Sequence, residues 1–173
     1  MKKLSSVLAL SVFTLTAANA PVLLSSGLTY NQNFDTLPIG ANNSTPGWTD
    51  NTTLLGWYSS RAFTGGTTSA YGPYAYSTIR VSAGAETSGW LYSYGALNVA
   101  ERALGSLSSG TPKTNVFGLR IQNDTGSAVD TVTVSYTGEQ WRNGNNTAVQ
   151  KLDFSYQISS SFASPIGVAT GSG

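Results

Sequence analysis

TVTVSYTGEQWRN, residues Thr131–Asn143, is the stretch that decides the class of fold. Val132, Val134 and Tyr136 alternate with Thr131, Thr133, Ser135 and Thr137. A period of two in β-branched and aromatic residues marks a strand with one face buried and one face wet. Gly138 then breaks the pattern, and Glu139, Gln140, Trp141 and Arg142 follow where a plain loop would use Ser, Asn and Gly. The pattern predicts a strand over 131–137, the second of a three-stranded meander.

The flanking sequence supplies the other two strands. Phe117, Leu119 and Ile121 alternate with Gly118, Arg120 and Gln122, and Asn123-Asp124-Thr125-Gly126 has the chemistry of a tight turn. After a second turn at Asn143-Gly144-Asn145-Asn146, Leu152, Phe154, Tyr156 and Ile158 alternate through Val149–Ser159. Consecutive alternating strands joined by short turns imply an antiparallel meander with one wet face.

Further upstream, Leu28–Phe34 reads as a first strand closed by Pro38, and Leu54–Ser59 as a short buried strand. Residues 60–78 read as a long exposed connection carrying Tyr71, Tyr74 and Tyr76. Thr78–Ser82 and Trp90–Tyr94 are strand candidates, the latter with Trp90, Tyr92 and Tyr94 on one face. Ala100–Leu107 suggests a helical turn kept short by Gly105. Residues 159–173 carry no strand pattern, so the domain is expected to be incomplete after about residue 158. The expected fold is therefore all-β: an antiparallel β-sandwich of jelly-roll or concanavalin-like lectin type.

Composition agrees. The chain has 173 residues, 10% of them charged and 11% aromatic. Residues 1–20 have the order of a signal peptide: Lys2 and Lys3, an apolar run over Leu4–Leu15, then Ala18-Asn19-Ala20. Pro21 after that cut favours Ala18 as an alternative cleavage point. The remainder, 21–173, is expected to be one domain, delivered outside the cell or to its surface, with no later segment apolar enough to span a membrane. Removing Lys2 and Lys3 from the nine basic residues leaves seven against eight acids. That balance, without Lys/Arg clusters, does not suit a nucleic-acid binder. With no cysteine the domain relies on its hydrophobic core rather than on disulfides.

The chain has no histidine, so Ser-His-Asp triads, histidine bases and most zinc sites are not encoded. Thiol catalysis falls with the cysteines. Two carboxylates at glycosidase separation would be needed on a strand, but Asp35, Asp50, Glu86, Glu101, Asp124, Asp130, Glu139 and Asp153 share no such spacing. Glu139 alone stands beside a strand with tryptophan and arginine neighbours. Glu139, Trp141 and Arg142 are the candidate ligand-binding or structural cluster, and the favoured role is structural: an ion pair from Glu139 or Arg142 to Arg102 or Glu101, with Trp141 in or beside the core. No catalytic residue, cofactor or metal is expected, and no D-x-D-x-D-G calcium loop occurs. Trp48, Trp57, Trp90 and Trp141 with nine tyrosines could stack on sugar rings, although filling a sandwich core explains each of them as well.

FDTLP (34–38), GWY (56–58), YSYGA (92–96), ERALGSL (101–107), GLRIQNDTG (118–126), SYTGEQWRNG (135–144) and LDFSYQ (152–157) resemble a module of secreted bacterial surface proteins, among them proteins with PEP-CTERM sorting domains. The similarity spans residues 30–158. It implies a lectin-like sandwich at the cell surface and transfers no catalytic residue. The expected function is a non-catalytic structural, adhesive or glycan-binding module meeting extracellular polysaccharide or surface components. A glycoside-active enzyme on the same fold, or an accessory module of a larger extracellular hydrolase or nuclease, is the alternative.

Overall fold

The computed structural model describes residues 21–27, 29–62, 74–110, 112, 114–145, 147, 148, 151–161, 166, 171 and 172. The expected signal segment, Tyr71 and Val149 lie outside that set. The described residues hold ten strands: β1 Val22–Leu23, β2 Trp57–Ala62, β3 Tyr74–Ala75, β4 Arg80–Ser82, β5 Trp90–Tyr94, β6 Ala103–Leu107, β7 Thr114–Leu119, β8 Ile121–Gln122, β9 Ser155–Tyr156 and β10 Gly171–Ser172. One 3-10 turn, Leu24–Ser26, is the only helical element among them. The protein is all-β, as its composition predicts.

Two three-stranded sheets carry the fold, in the orders β3-β2-β7 and β4-β5-β6. β2 runs antiparallel to β7 over six pairs, from Trp57↔Leu119 to Ala62↔Thr114. β5 runs antiparallel to β6, with Tyr92 opposite Gly105, but parallel to β4. Sheets here are thus mostly rather than wholly antiparallel, and β1 also joins β8 in parallel.

Both sheets feed one core. Leu37, Trp48, Leu54, Tyr76, Ile79, Leu91 and Leu104 form its buried cluster, and Phe34, Trp57, Trp90 and Phe117 pack against it. Aromatic edges are used directly: Phe34 meets Trp57 at 4.9 Å and Tyr76 meets Trp90 at 5.3 Å, both edge to face. Arginines stack rather than stand in water. The Arg61 guanidinium lies 4.4 Å from the Trp90 ring, Arg80 lies 4.8 Å from the same ring, and Arg120 lies 3.9 Å from Tyr58. Arg102 is buried outright. Its Nε donates to Ser93 Oγ at 2.9 Å, Nη1 to the Ala96 carbonyl at 3.0 Å, and Nη2 to the Ser93 carbonyl.

Several expectations are corrected. The meander does not form: residues 131–137 are in no strand, and Val132, Val134 and Tyr136 are 62, 55 and 67% exposed. The strand over 116–122 is present, as β7 and β8, but β7 pairs with β2 and β8 with β1, both more than fifty residues upstream. Alternation reports that a segment suits a pleated surface; it does not name the edge it pairs with. Among the described residues of the third expected strand only Ser155 and Tyr156 pair, and they pair with Gly171–Ser172, so the tail is not free of strand. Leu28 lies outside the described residues, and 29–34 are non-strand. The buried strand expected at 54–59 starts later, at Trp57. Tyr76 is core rather than exposed connection.

Ala103–Leu107 is a strand instead of a helical turn. Gly105 explains the override: a Cβ there would meet the Tyr94 ring at 2.8 Å, so the two strands approach closely only because glycine is present. The strands at 80–82 and 90–94 are where the pattern put them.

Candidate functional site

The candidate cluster sits on a strap, residues 139–144, laid across the turn after β4. Three features dock it. Trp141 stacks parallel on Tyr94, with 6.2 Å between centroids and 5° between planes. Tyr94 in turn stacks on Tyr92 at 5.0 Å, since residues two apart on a strand share a face. Arg142 Nη1 donates to the Ala85 carbonyl at 3.1 Å. Gly84, at φ 93°, takes a backbone conformation that favours glycine, and an added Cβ would collide with the Trp141 carbonyl. The turn and the strap therefore require each other.

The three predicted residues are brought together, in a different way from that expected. Glu139 accepts from the Trp141 indole Nε1 at 2.8 Å. Trp141 and Arg142 are half-buried, and Glu139 is exposed. The ion pair anticipated with Arg102 or Glu101 is replaced: Glu139 is held by an indole, Arg142 by a carbonyl, and Arg102 by Ser93 and Ala96.

Beside Arg142 opens a cleft of about 300 Å³. Thr87, Ser108, Ser109, Arg142, Asn143 and Gly144 line it, with Leu107 as an apolar wall. Its floor is ordered by the β6–β7 connection: Ser109 N–H donates to the Pro112 carbonyl at 3.0 Å, and Asn115 Nδ2 donates to Ser108 Oγ at 3.2 Å. Gly144 and Asn145, with φ of 63° and 57°, turn the strap away at its end. Hydroxyls, an amide and a guanidinium give this cleft both donors and acceptors around one short apolar wall. That chemistry suits a neutral or weakly acidic hydroxyl-rich ligand.

Burial sets the ionisation of the aromatic face next to the strap. The Tyr94 phenol is pushed well above its usual value of 10.0 by burial and by neighbouring Tyr92, against an opposing pull from Arg142. Burial also raises Tyr92, opposed by its hydrogen bond from Arg80. Both phenols stay neutral through the physiological range and act as hydrogen-bonding, stacking groups. Most acids described have structural donors. Asp50 accepts from the Trp48 indole and from Ser59 N–H, Glu86 from Asn42, and Asp124 from Ser25. Among the described residues no three acidic side chains converge in the manner of a metal site.

Sequence reasoning missed Gly84, Thr87, Ser108, Ser109 and Tyr94 as parts of the site. As a glycine, Gly84 signals backbone freedom but not contact with Trp141. No protein-family model, curated protein or solved structure matches the chain. Among the described residues no helix is long and apolar enough to cross a membrane.

Proposed function

We propose that this is a non-catalytic, secreted or cell-surface module whose two sheets form a sandwich of jelly-roll or lectin type and whose cleft under the 139–144 strap binds glycan. The observation that carries this reading is the cleft itself. Arg142, Asn143, Thr87, Ser108 and Ser109 converge on one concavity of about 300 Å³, a size that fits one or two sugar rings. Arg142 is oriented through its bond to the Ala85 carbonyl, and Trp141, stacked on Tyr94, fixes the strap that carries it. A pre-set guanidinium loses little freedom when it binds a hydroxyl or carboxylate edge. The resemblance to secreted bacterial surface modules points to polysaccharide or cell-surface components as partners, with structural or adhesive work as the wider role.

A glycan array run with the wild type and with Asn143→Ala tests it. Binding to a defined set of saccharides, weakened at least tenfold in the variant, is the expected result. Binding that Asn143→Ala leaves unchanged removes the cleft. A blank array removes glycan recognition altogether. A polysaccharide-degradation screen should give no cleavage; cleavage abolished by Glu139→Gln would make the protein an enzyme instead.

A further inference from the structure

We infer that residues 131–137 form the core of a two-fold symmetric homodimer, in which the segment pairs antiparallel with its own copy. Two ribbons of the chain expose large apolar side chains at alternate positions. Val132, Val134 and Tyr136 belong to one, and Leu152, Phe154 and Ile158 to the other. Tyr136 stacks on Phe154 at 5.9 Å, so the two ribbons lie together as one surface. Leu152 and Ile158 are 70 and 91% exposed.

Size argues for a protein partner. Those six residues offer roughly 700 Å² of surface, more than the about 300–600 Å² of the largest apolar patch of a typical monomer, and cross-strand contact between two copies covers the flanks of Val132, Val134 and Tyr136. Charge argues for a like partner. Residues 129–158 hold Asp130, Glu139 and Asp153 against Arg142 and Lys151. Such a balance creates no field that would select a strongly charged partner, and little repulsion between two copies.

Backbone geometry makes the commitment specific. Residues 131–137 have the alternation of a strand, yet among the described residues no strand pairs with them. Their main-chain groups are open to edge-to-edge pairing, the usual liability of such a segment. An antiparallel pair about a two-fold axis maps a segment onto itself. Centring the axis on Val134 places Val134 opposite Val134, Val132 opposite Tyr136 and Thr131 opposite Thr137. Apolar residues then meet apolar, and threonines meet threonines, which is the favourable set of cross-strand pairs.

The native chain has no cysteine, so a single introduced thiol reports on that register. Light scattering behind gel filtration should find a dimer at micromolar concentration. Val134→Cys, treated with diamide, should give a covalent dimer at least tenfold faster than Thr125→Cys, whose site is exposed but off the axis. Val134→Asp sets two carboxylates face to face and should weaken the dimer at least tenfold while leaving the far-ultraviolet circular dichroism unchanged. A protein that stays monomeric at high micromolar concentration overturns the inference. So does a dimer that Val134→Asp leaves intact, or cross-linking no faster at 134 than at 125. A monomer that sediments with phosphatidylcholine vesicles would assign the face to lipid, and equally overturns it.

Discussion

Replacing Arg102 with Met isolates the effect of a fully buried guanidinium. Met keeps most of the length and fills most of the volume, so cavity formation contributes little. What disappears is the guanidinium fork: the bonds from Nε to Ser93 Oγ, from Nη1 to the Ala96 carbonyl and from Nη2 to the Ser93 carbonyl. Ser93 Oγ retains its own bond to the Pro38 carbonyl, but the carbonyls of Ser93 and Ala96 lose these donors. Hydrogen bonds from a charged donor contribute about 1.5–3 kcal/mol each, so the gross loss is roughly 4–9 kcal/mol. The opposing effect is the relief of a buried charge, several kcal/mol, and burial does hold the Arg102 pKa below the ordinary arginine value. The acceptors win because there are three of them and they are fixed by β5 and its turn. The expected net loss is about 2–4 kcal/mol, or roughly 5–15 °C in Tm for a domain of this size. Urea unfolding followed by tryptophan fluorescence measures it, with the slope unchanged. A variant as stable as the wild type, or more stable, refutes the reasoning, since desolvation would then dominate.

Three further outcomes follow from the same geometry. Gly84→Ala puts a Cβ against the Trp141 carbonyl at a φ of 93°, so the strap should lift and trypsin should cut after Arg142 at least several-fold faster; an unchanged cleavage rate contradicts the docking. Asp124 has its pKa held below 3.8 by the side-chain and then the backbone hydrogen bond from Ser25. A depressed folded value gives stability that is present above pH 3.8 and lost as pH falls below it, so Asp124→Asn should flatten the acid limb of a stability-against-pH curve. Tyr58, Tyr76, Tyr92 and Tyr94 all have raised phenol pKa values, chiefly from burial. Their contribution is complete below pH 10 and falls as pH rises beyond it, so tyrosinate absorbance from these residues should grow only as the protein unfolds; early, reversible ionisation of all nine tyrosines would contradict their burial.

How much of this was legible in the sequence depended on whether a partner was local. β5 and β7 were readable, because Trp90–Tyr94 and Val116–Gln122 alternate and their turns are marked by Gly, Asn and Asp. The pairing of β7 with β2 was not, since nothing in a periodic pattern names a partner more than fifty residues away. Thr131–Thr137 carried the strongest alternation and still lies outside both sheets, because its propensity needed an edge to act on. Ala103–Leu107 looked locally helical; the Tyr94 ring over Gly105 decided otherwise. The core was half-visible: Leu91 was placed on a strand, whereas Leu37 and Trp48 enter the core from irregular segments that carry no periodicity. At the candidate site, the unusual Glu-Gln-Trp-Arg run drew attention to the strap, of which Arg142 lines the cleft. Their partners, Ala85 and Tyr94, belong to another part of the chain and could only be found in three dimensions.

Residue-resolved amide hydrogen exchange, on protein dilute enough to be monomeric, tests the central claim that two sheets and their shared core hold the fold while 131–137 stands outside it. Slow exchange is expected at Tyr58–Ala62, Leu91–Tyr94 and Val116–Leu119, with fast exchange throughout Thr131–Thr137. Protection of Thr131–Thr137 equal to that of Leu91–Tyr94 in the monomer would contradict it.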